Sequence, residues 1–222
     1  MATEFSALHS GARGATSTSQ ETPIVFVVDD DISVRESLEL LIRSVGWVPQ
    51  VFDSAQGFLS HARAPVPNCM ILDVNLPDLS GLDLQELVSV EHADMPIIFV
   101  TGYGDVPMTV KAMKAGAVEF LTKPFSDEVL LAAIDAALEQ SKAMLVLEAE
   151  MRLLRDRQAS LSRREREVMA LIVVGRLNKQ VGFELGISEI TVKAHRGQVM
   201  RKMQARSLPD LLSMATKLGI SH

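Results

Sequence analysis

The chain has 222 residues, 47% of them hydrophobic and 23% charged, a balance that suits a soluble protein of one large or two small domains. No apolar run reaches the roughly 18 residues of a membrane span, and the single cysteine, Cys69, excludes an internal disulfide and fits a reducing compartment. The net charge of −6 is unevenly divided: residues 1–150 carry 8 Lys and Arg against 22 Asp and Glu, a balance of −14, and residues 151–222 carry 14 against 6, a balance of +8. A basic C-terminal part beside an acidic N-terminal one points to two domains, the second meeting a polyanion.

In chain order, residues 1–22 are rich in Ser, Thr, Gly and Ala and lack the apolar core of a secretory signal, so they read as a disordered leader. Short apolar runs then predict buried strands at Ile24–Val28, Val48–Phe52, Met70–Leu72, Pro96–Val100 and Val118–Leu121. Helical patterns lie between them. One is headed by a capping box, Ser33-Val34-Arg35-Glu36; others begin near Ser54, near Leu82 and at Pro107, the last ending at Gly116. Strands alternating with helices imply a parallel sheet covered on both faces.

Ser126 opens a helical pattern that continues to residue 158 without Gly or Pro. Met144, Leu147, Met151 and Leu154 recur along it at three- and four-residue spacing, either as a stripe packed on its own domain or as a short self-pairing seam. From Ser160 onward only helices are expected. A capping box, Ser162 to Glu165, starts the first, which runs to Gly175. A short helix Asn178–Leu185 follows, then a tight turn over 186–188 with Ile187 inward, a helix Glu189–Met203 headed by Ser188, and a last helix opened by Ser207-Leu208-Pro209. The expected architecture is an α/β domain, a doubly wound five-stranded parallel sheet, joined by a long helix to an all-α helix-turn-helix domain. Its divisions are 1–22, 23–140, 141–159 and 160–222.

The chemistry gathers where such a sheet places its ligands, at the carboxyl ends of the strands. The first strand ends in Asp29, Asp30 and Asp31, the third in Asp73, the fourth in Thr101, and the fifth precedes Lys123-Pro124. Asp73 reads alone as either a polar stop or a reactive acid. Crowded carboxylates repel, so a hard divalent cation is their natural occupant, Mg²⁺ or Mn²⁺, and Mg²⁺ also binds phosphate oxygens. A carboxylate beside it can become an aspartyl phosphate, whose charge a Lys ammonium and a hydroxyl compensate. Asp73, Lys123 and Thr101 supply that set. The five histidines (His9, His61, His92, His195, His222) have no metal-ligand spacing.

The segments "VVDDD", "ILDVNLPDLSG" and "FVTGYGDVPMTVKAMKAGAVEFLTKPF", in that order, resemble the receiver domain of two-component response regulators. The resemblance implies that Asp73 is the phosphoacceptor, that Asp30 with Asp29 behind it holds Mg²⁺, and that the backbone carbonyl of Asn75 completes the site. It implies that Thr101 and Lys123 engage the phosphoryl group, that Phe120 is the switch aromatic, and that Tyr103 influences phosphoryl lifetime. It favours the reactive reading of Asp73.

In a helix-turn-helix the second helix enters the DNA major groove. Lys193, His195, Arg196 and Gln198 give it donors and Ser188 heads it, while Val192 and Val199 look like core. Asn178, Lys179, Thr191, Arg201 and Lys202 are candidates for phosphate contacts. The run from Leu161 to Met203 is similar to the LuxR-type helix-turn-helix of NarL/FixJ regulators, the FixJ-like subgroup being nearest. That likeness implies a groove-facing stripe of Lys193, Ala194 and Gly197, with Gly197 in place of a longer side chain and Gly182 where the family usually has Ala.

The resemblance implies a cytoplasmic transcription regulator, an activator by its nearest relatives. It would be phosphorylated on Asp73 by a partner histidine kinase, dimerise, and bind double-stranded DNA and RNA polymerase. It would have no membrane partner and catalyse only its own phosphoryl transfer and dephosphorylation. Two rivals remain. An aspartyl-phosphate phosphatase would usually carry a second Asp two residues after the nucleophile, where Asn75 stands. A helical domain that binds RNA or protein would lack the steep salt dependence of duplex DNA binding.

Overall fold

Five short strands, β1 (Ile24–Val28), β2 (Val48–Phe52), β3 (Asn68–Leu72), β4 (Ile97–Thr101) and β5 (Glu119–Thr122), pair in parallel in the order β2-β1-β3-β4-β5. The computed structural model describes residues 22–92, 95–102 and 104–220, so the expected leader, apart from Thr22, and Tyr103 lie outside the described residues. The α/β sheet is as the apolar runs predict. Its edges move: β3 starts at Asn68 and β4 includes Thr101.

Alternation along the strands divides the core in two. Phe26, Val28, Met70, Leu72 and Phe99 face α2 (Ala55–Leu59), α3 (Gly81–Glu91) and α4 (Val106–Lys114), packing with Phe58, Leu84, Val88 and Ala112. Val25, Val27, Cys69, Ile71, Ile98 and Val100 face α1 (Ile32–Ser44) and α5 (Asp127–Ala159), packing with Leu38, Ile42, Leu130 and Ile134. The α1 cap differs from the expected Ser33 capping box. Asp31 is the N-cap, its carboxylate accepting from both the Ser33 N–H (2.8 Å) and the Ser33 hydroxyl (2.6 Å), so Ser33 sits inside the first turn.

The 33 residues of α5 are one helix. Its first half is buried in the sheet domain at Leu130, Ile134, Ala137, Leu138 and Ser141, and the Ser141 hydroxyl accepts from the Asn68 N–H (3.1 Å) at the start of β3. Its end is buried again at Leu154, in a third core with Val168, Met169, Ile172, Val181, Val192, Val199, Met203 and Leu211. These come from α6 (Arg163–Val173), α7 (Asn178–Leu185), α8 (Glu189–Met203) and α9 (Leu208–Lys217). The apolar stripe on α5 is therefore split: Met151 and Leu154 pack on the helical core, and Met144 and Leu147 stay exposed. Among the described residues no helix is long and apolar enough to cross a membrane.

Candidate functional site

Strand register assembles the acidic site. Val28 pairs with Leu72, so the residues that follow, Asp29 and Asp73, emerge side by side at one rim. Thr101 pairs with Thr122, which puts Lys123 just beyond it, and the Lys123 N–H donates to the Thr101 carbonyl (2.9 Å). The chain leaves β1 and β3 toward opposite faces of the sheet here, the crevice where open α/β sheets bind ligands.

Several of these side chains are bonded to one another or to the neighbouring backbone. Lys123 Nζ donates to Asp29 Oδ2 at 2.9 Å, and Asp29 Oδ1 accepts from the Asp31 N–H at 2.9 Å. Asp73 is 8% exposed; its Oδ2 accepts from the Asn75 N–H (3.0 Å), and the buried Thr101 hydroxyl favours its ionised form. Burial, and then the charge of Asp29, push the Asp73 carboxyl above the usual carboxylate range, against the opposing pull of Asn75, Lys123 and Thr101. Asp30 is exposed beside them.

Among the described residues, no three His, Cys, Asp or Glu side chains are gathered closely enough to form a ready-made metal cage. The fit for a divalent cation rests on charge and donor chemistry. Two buried carboxylates share one ammonium, and a small hard cation that keeps several waters needs only one or two carboxylates. Phe120 is half-buried with its ring 5.8 Å from that of Phe99. The loop after Thr101 crosses Phe120 closely: a Cβ on Gly104 would lie 2.9 Å from its ring.

In the helical domain Gly186, at φ 65°, ends α7 in the left-handed conformation that glycine adopts freely, and Ser188 caps α8 by accepting from the Thr191 N–H (3.1 Å). Val192 and Val199 are fully buried as predicted. A Cβ at Gly182 would lie 2.7 Å from the Ile187 carbonyl, so its small size lets α7 approach the turn. Lys179, Ser188, Thr191, Lys193, Ala194, Gly197 and Arg201 are exposed, and His195 is half-buried.

Three of the proposed DNA contacts are engaged between elements of the domain. Arg196, on the inner flank of α8, donates to the Asn178 side chain at 3.3 Å, so those two candidates meet each other. Lys202, expected at a DNA phosphate, donates to Glu165 (2.6 Å) and to the Ser160 carbonyl (3.1 Å). Glu165 also accepts from the Ser162 N–H (2.7 Å), and these partners lower its carboxyl to about 2.

Residues 25–135 match the family model for the response regulator receiver domain, and residues 159–215 match that for bacterial regulatory proteins of the luxR family. Nodulation protein W of Bradyrhizobium diazoefficiens is 50% identical over 211 residues, 95% of this chain and 92% of that protein. The chain is a response regulator of the NarL/FixJ type. The regulator is also 41% identical over 196 residues to the transcriptional regulatory protein FixJ of the same species, covering 88% of this chain and 96% of FixJ. The solved structure of the response regulator StyR matches it with a TM-score of 0.77 at 45% identity, over 89% of this chain and all of that one. A receiver joined to a LuxR-type DNA-binding domain makes the regulator a two-component transcription regulator. A histidine kinase and DNA are the partners that this pairing implies.

Three supports of the regulator's acidic site are absent from the sequence reading. A Cβ on Gly81 would lie 2.2 Å from the Asp73 carbonyl, so only glycine lets the start of α3 lie against the Asp73 backbone. Asp78 accepts from the Ala55 N–H (3.2 Å) and the Gln56 N–H (2.8 Å), fastening the loop after Asp73 to the first turn of α2. Arg35 donates to the Asp29 carbonyl at 2.6 Å. The PDLSG sequence, with its turn-forming Pro77 and Gly81, is the one signal that points to such a loop.

Proposed function

We propose that the regulator accepts a phosphoryl group on Asp73 from its histidine kinase, dimerises, and binds DNA to control transcription in the cytoplasm. The observation that carries this is the state of Asp73: a buried carboxylate with a raised pKa, beside a second buried carboxylate, an ammonium and a hydroxyl. An Asp73 carboxylate oxygen attacks phosphorus while the bond from phosphorus to the donor breaks. Lys123 and Thr101 then engage the phosphoryl oxygens through charge-assisted hydrogen bonds.

Asp29, Asp30, Asp73 and the Asn75 carbonyl would hold Mg²⁺ or Mn²⁺. When bound, it neutralises charge on the carboxylates and on the transferred group. The same groups would serve hydrolysis of the aspartyl phosphate, so that the protein catalyses its own phosphoryl transfer and dephosphorylation. Thr101 drawn toward the phosphate carries with it the loop that crosses Phe120, and this loop is the coupling to the α4–β5 surface; Tyr103 is proposed to influence phosphoryl lifetime. Shifting such a switch from 1:99 to 99:1 takes about 5.5 kcal/mol of differential stabilisation.

The receiver is assigned to residues 23–140, the connector to 141–159 and the DNA-binding domain to 160–222. On DNA, Ala194 and Gly197 face the groove with Lys193 on their flank, and Ser188, His195, Lys179, Thr191 and Arg201 are the proposed contacts around them. RNA polymerase is the proposed further partner. The test is intact mass and light scattering with a small phosphodonor and Mg²⁺. Wild type should gain one phosphoryl group and become a dimer, and Asp73→Asn should do neither. Equal mass gain and dimerisation in the two would overturn the proposal.

A further inference from the structure

On α8 the buried side chains Val192, Val199 and Met203 define the inward direction. At about 100° per residue, Ile190, Ala194, Gly197 and Arg201 then lie within about 40° of the opposite direction. Ile190 is 80% exposed, in the first turn of the helix. Single exposed apolar residues are ordinary, so its place is what matters. It heads the outermost line of the helix that enters the groove.

The next two residues on that line are small. Ala194 is exposed, and a Cβ on Gly197 would meet nothing within 4 Å. The long side chains sit to the flank or at the far end: Lys193 is held by Glu189 at 3.2 Å, and Arg201 donates to Gln198 at 2.6 Å. The part of α8 that penetrates deepest therefore offers a β-branched hydrocarbon followed by two residues too small to hold it off the bases. In the major groove the complementary apolar feature of a base pair is the C5-methyl group of thymine.

We infer that Ile190 is a specificity-determining residue that reads the methyl group of a thymine in each half-site. The inference rests on the DNA-binding reading above and adds a chemical class of target to it. Removing one methyl from a contact of this kind should weaken binding about fourfold per half-site, corresponding to about 0.8 kcal/mol.

The experiment starts from duplexes that the phosphodonor-treated full chain selects from a random library. Each thymine of the selected half-site is replaced in turn by uracil, which lacks only the methyl. For wild type one position should lose about fourfold in affinity. Ile190→Ala should bind the thymine and uracil duplexes equally at that position, Ile190→Val should keep part of the preference, and both should keep the wild-type salt dependence. A thymine-to-uracil ratio unchanged by Ile190→Ala, or no position sensitive to uracil, would overturn the inference while leaving DNA binding intact. Selection of no duplex at all would overturn the DNA-binding reading itself, and the inference with it.

Discussion

The receiver and the helical domain each bury a carboxylate to nearly the same depth, Asp73 at 8% exposure and Glu165 at 6%, and hold them in opposite ways. Glu165 accepts from Lys202 and from the Ser162 N–H and is lowered to about 2. Asp73 has an Asp at its side, shares with Asp29 the one ammonium that Asp29 already binds, and is raised. What separates them is the balance: at Asp73 burial and the charge of Asp29 outweigh its partners, and at Glu165 Lys202 and Ser162 outweigh burial. A compensated carboxylate fixes structure: the Lys202 and Glu165 pair ties the end of α8 to the start of α6, and the bond to Ser160 ties both to the end of α5. An under-compensated one is a place for more chemistry, and here it lies at the end of a strand in the crevice of the sheet.

The contrast can be broken from either side. The largest effect is expected at Gly81→Ala, where the new Cβ would lie 2.2 Å from the Asp73 carbonyl. The loop must shift, costing about 3 kcal/mol of receiver stability in urea unfolding. Trp47 packs on the receiver core and is the chain's one tryptophan, so its fluorescence reports that domain alone. Lys202→Met should cost the helical domain about 2 kcal/mol, because Glu165 then keeps its burial and loses its cation. Adding Glu165→Gln should recover part of that loss, since the pair is coupled; simple additivity of the two would contradict the pairing.

Acid should act with opposite sign on the two domains. The Glu165 contribution is complete above its ordinary value of 4.5 and is lost as pH falls toward about 2. Asp73 is raised from 3.8, so its ionised form burdens the folded receiver, and that burden is relieved as pH falls through the raised value toward 3.8. Over that window Trp47 fluorescence should report relief of this burden before far-ultraviolet circular dichroism reports weakening of the helical domain. The smallest effect is expected from Asp73→Asn at neutral pH, a modest rise in the receiver's Tm from removing one charge beside Asp29. A fall in Tm would place Asp73 among the compensated carboxylates.

These effects also divide what the sequence could reveal from what it could not. The five strands, the Ser162 capping box and the rim of Asp29, Asp73, Thr101 and Lys123 were legible, because each is set by spacing within one element or by the strand ends of a parallel sheet. The cap of α1 was misplaced since Asp31 and Ser33 both suit the position, and only the observed bonds choose Asp31. Gly81, Asp78 and the Lys202–Glu165 pair were missed for another reason. Asp78 acts on Gln56 across 22 positions and Lys202 on Glu165 across 37, and no periodicity carries such a contact. The stripe on α5 had the spacing of a seam, yet Met151 and Leu154 pack on the domain that follows.

The measurement that tests the account most directly is the affinity of wild type and Asp73→Asn for a selected duplex, with and without a small phosphodonor and Mg²⁺. Phosphodonor should tighten wild-type binding about tenfold or more and leave the variant unchanged. Equal tightening of both, or none in wild type once Asp73 is phosphorylated, would contradict it.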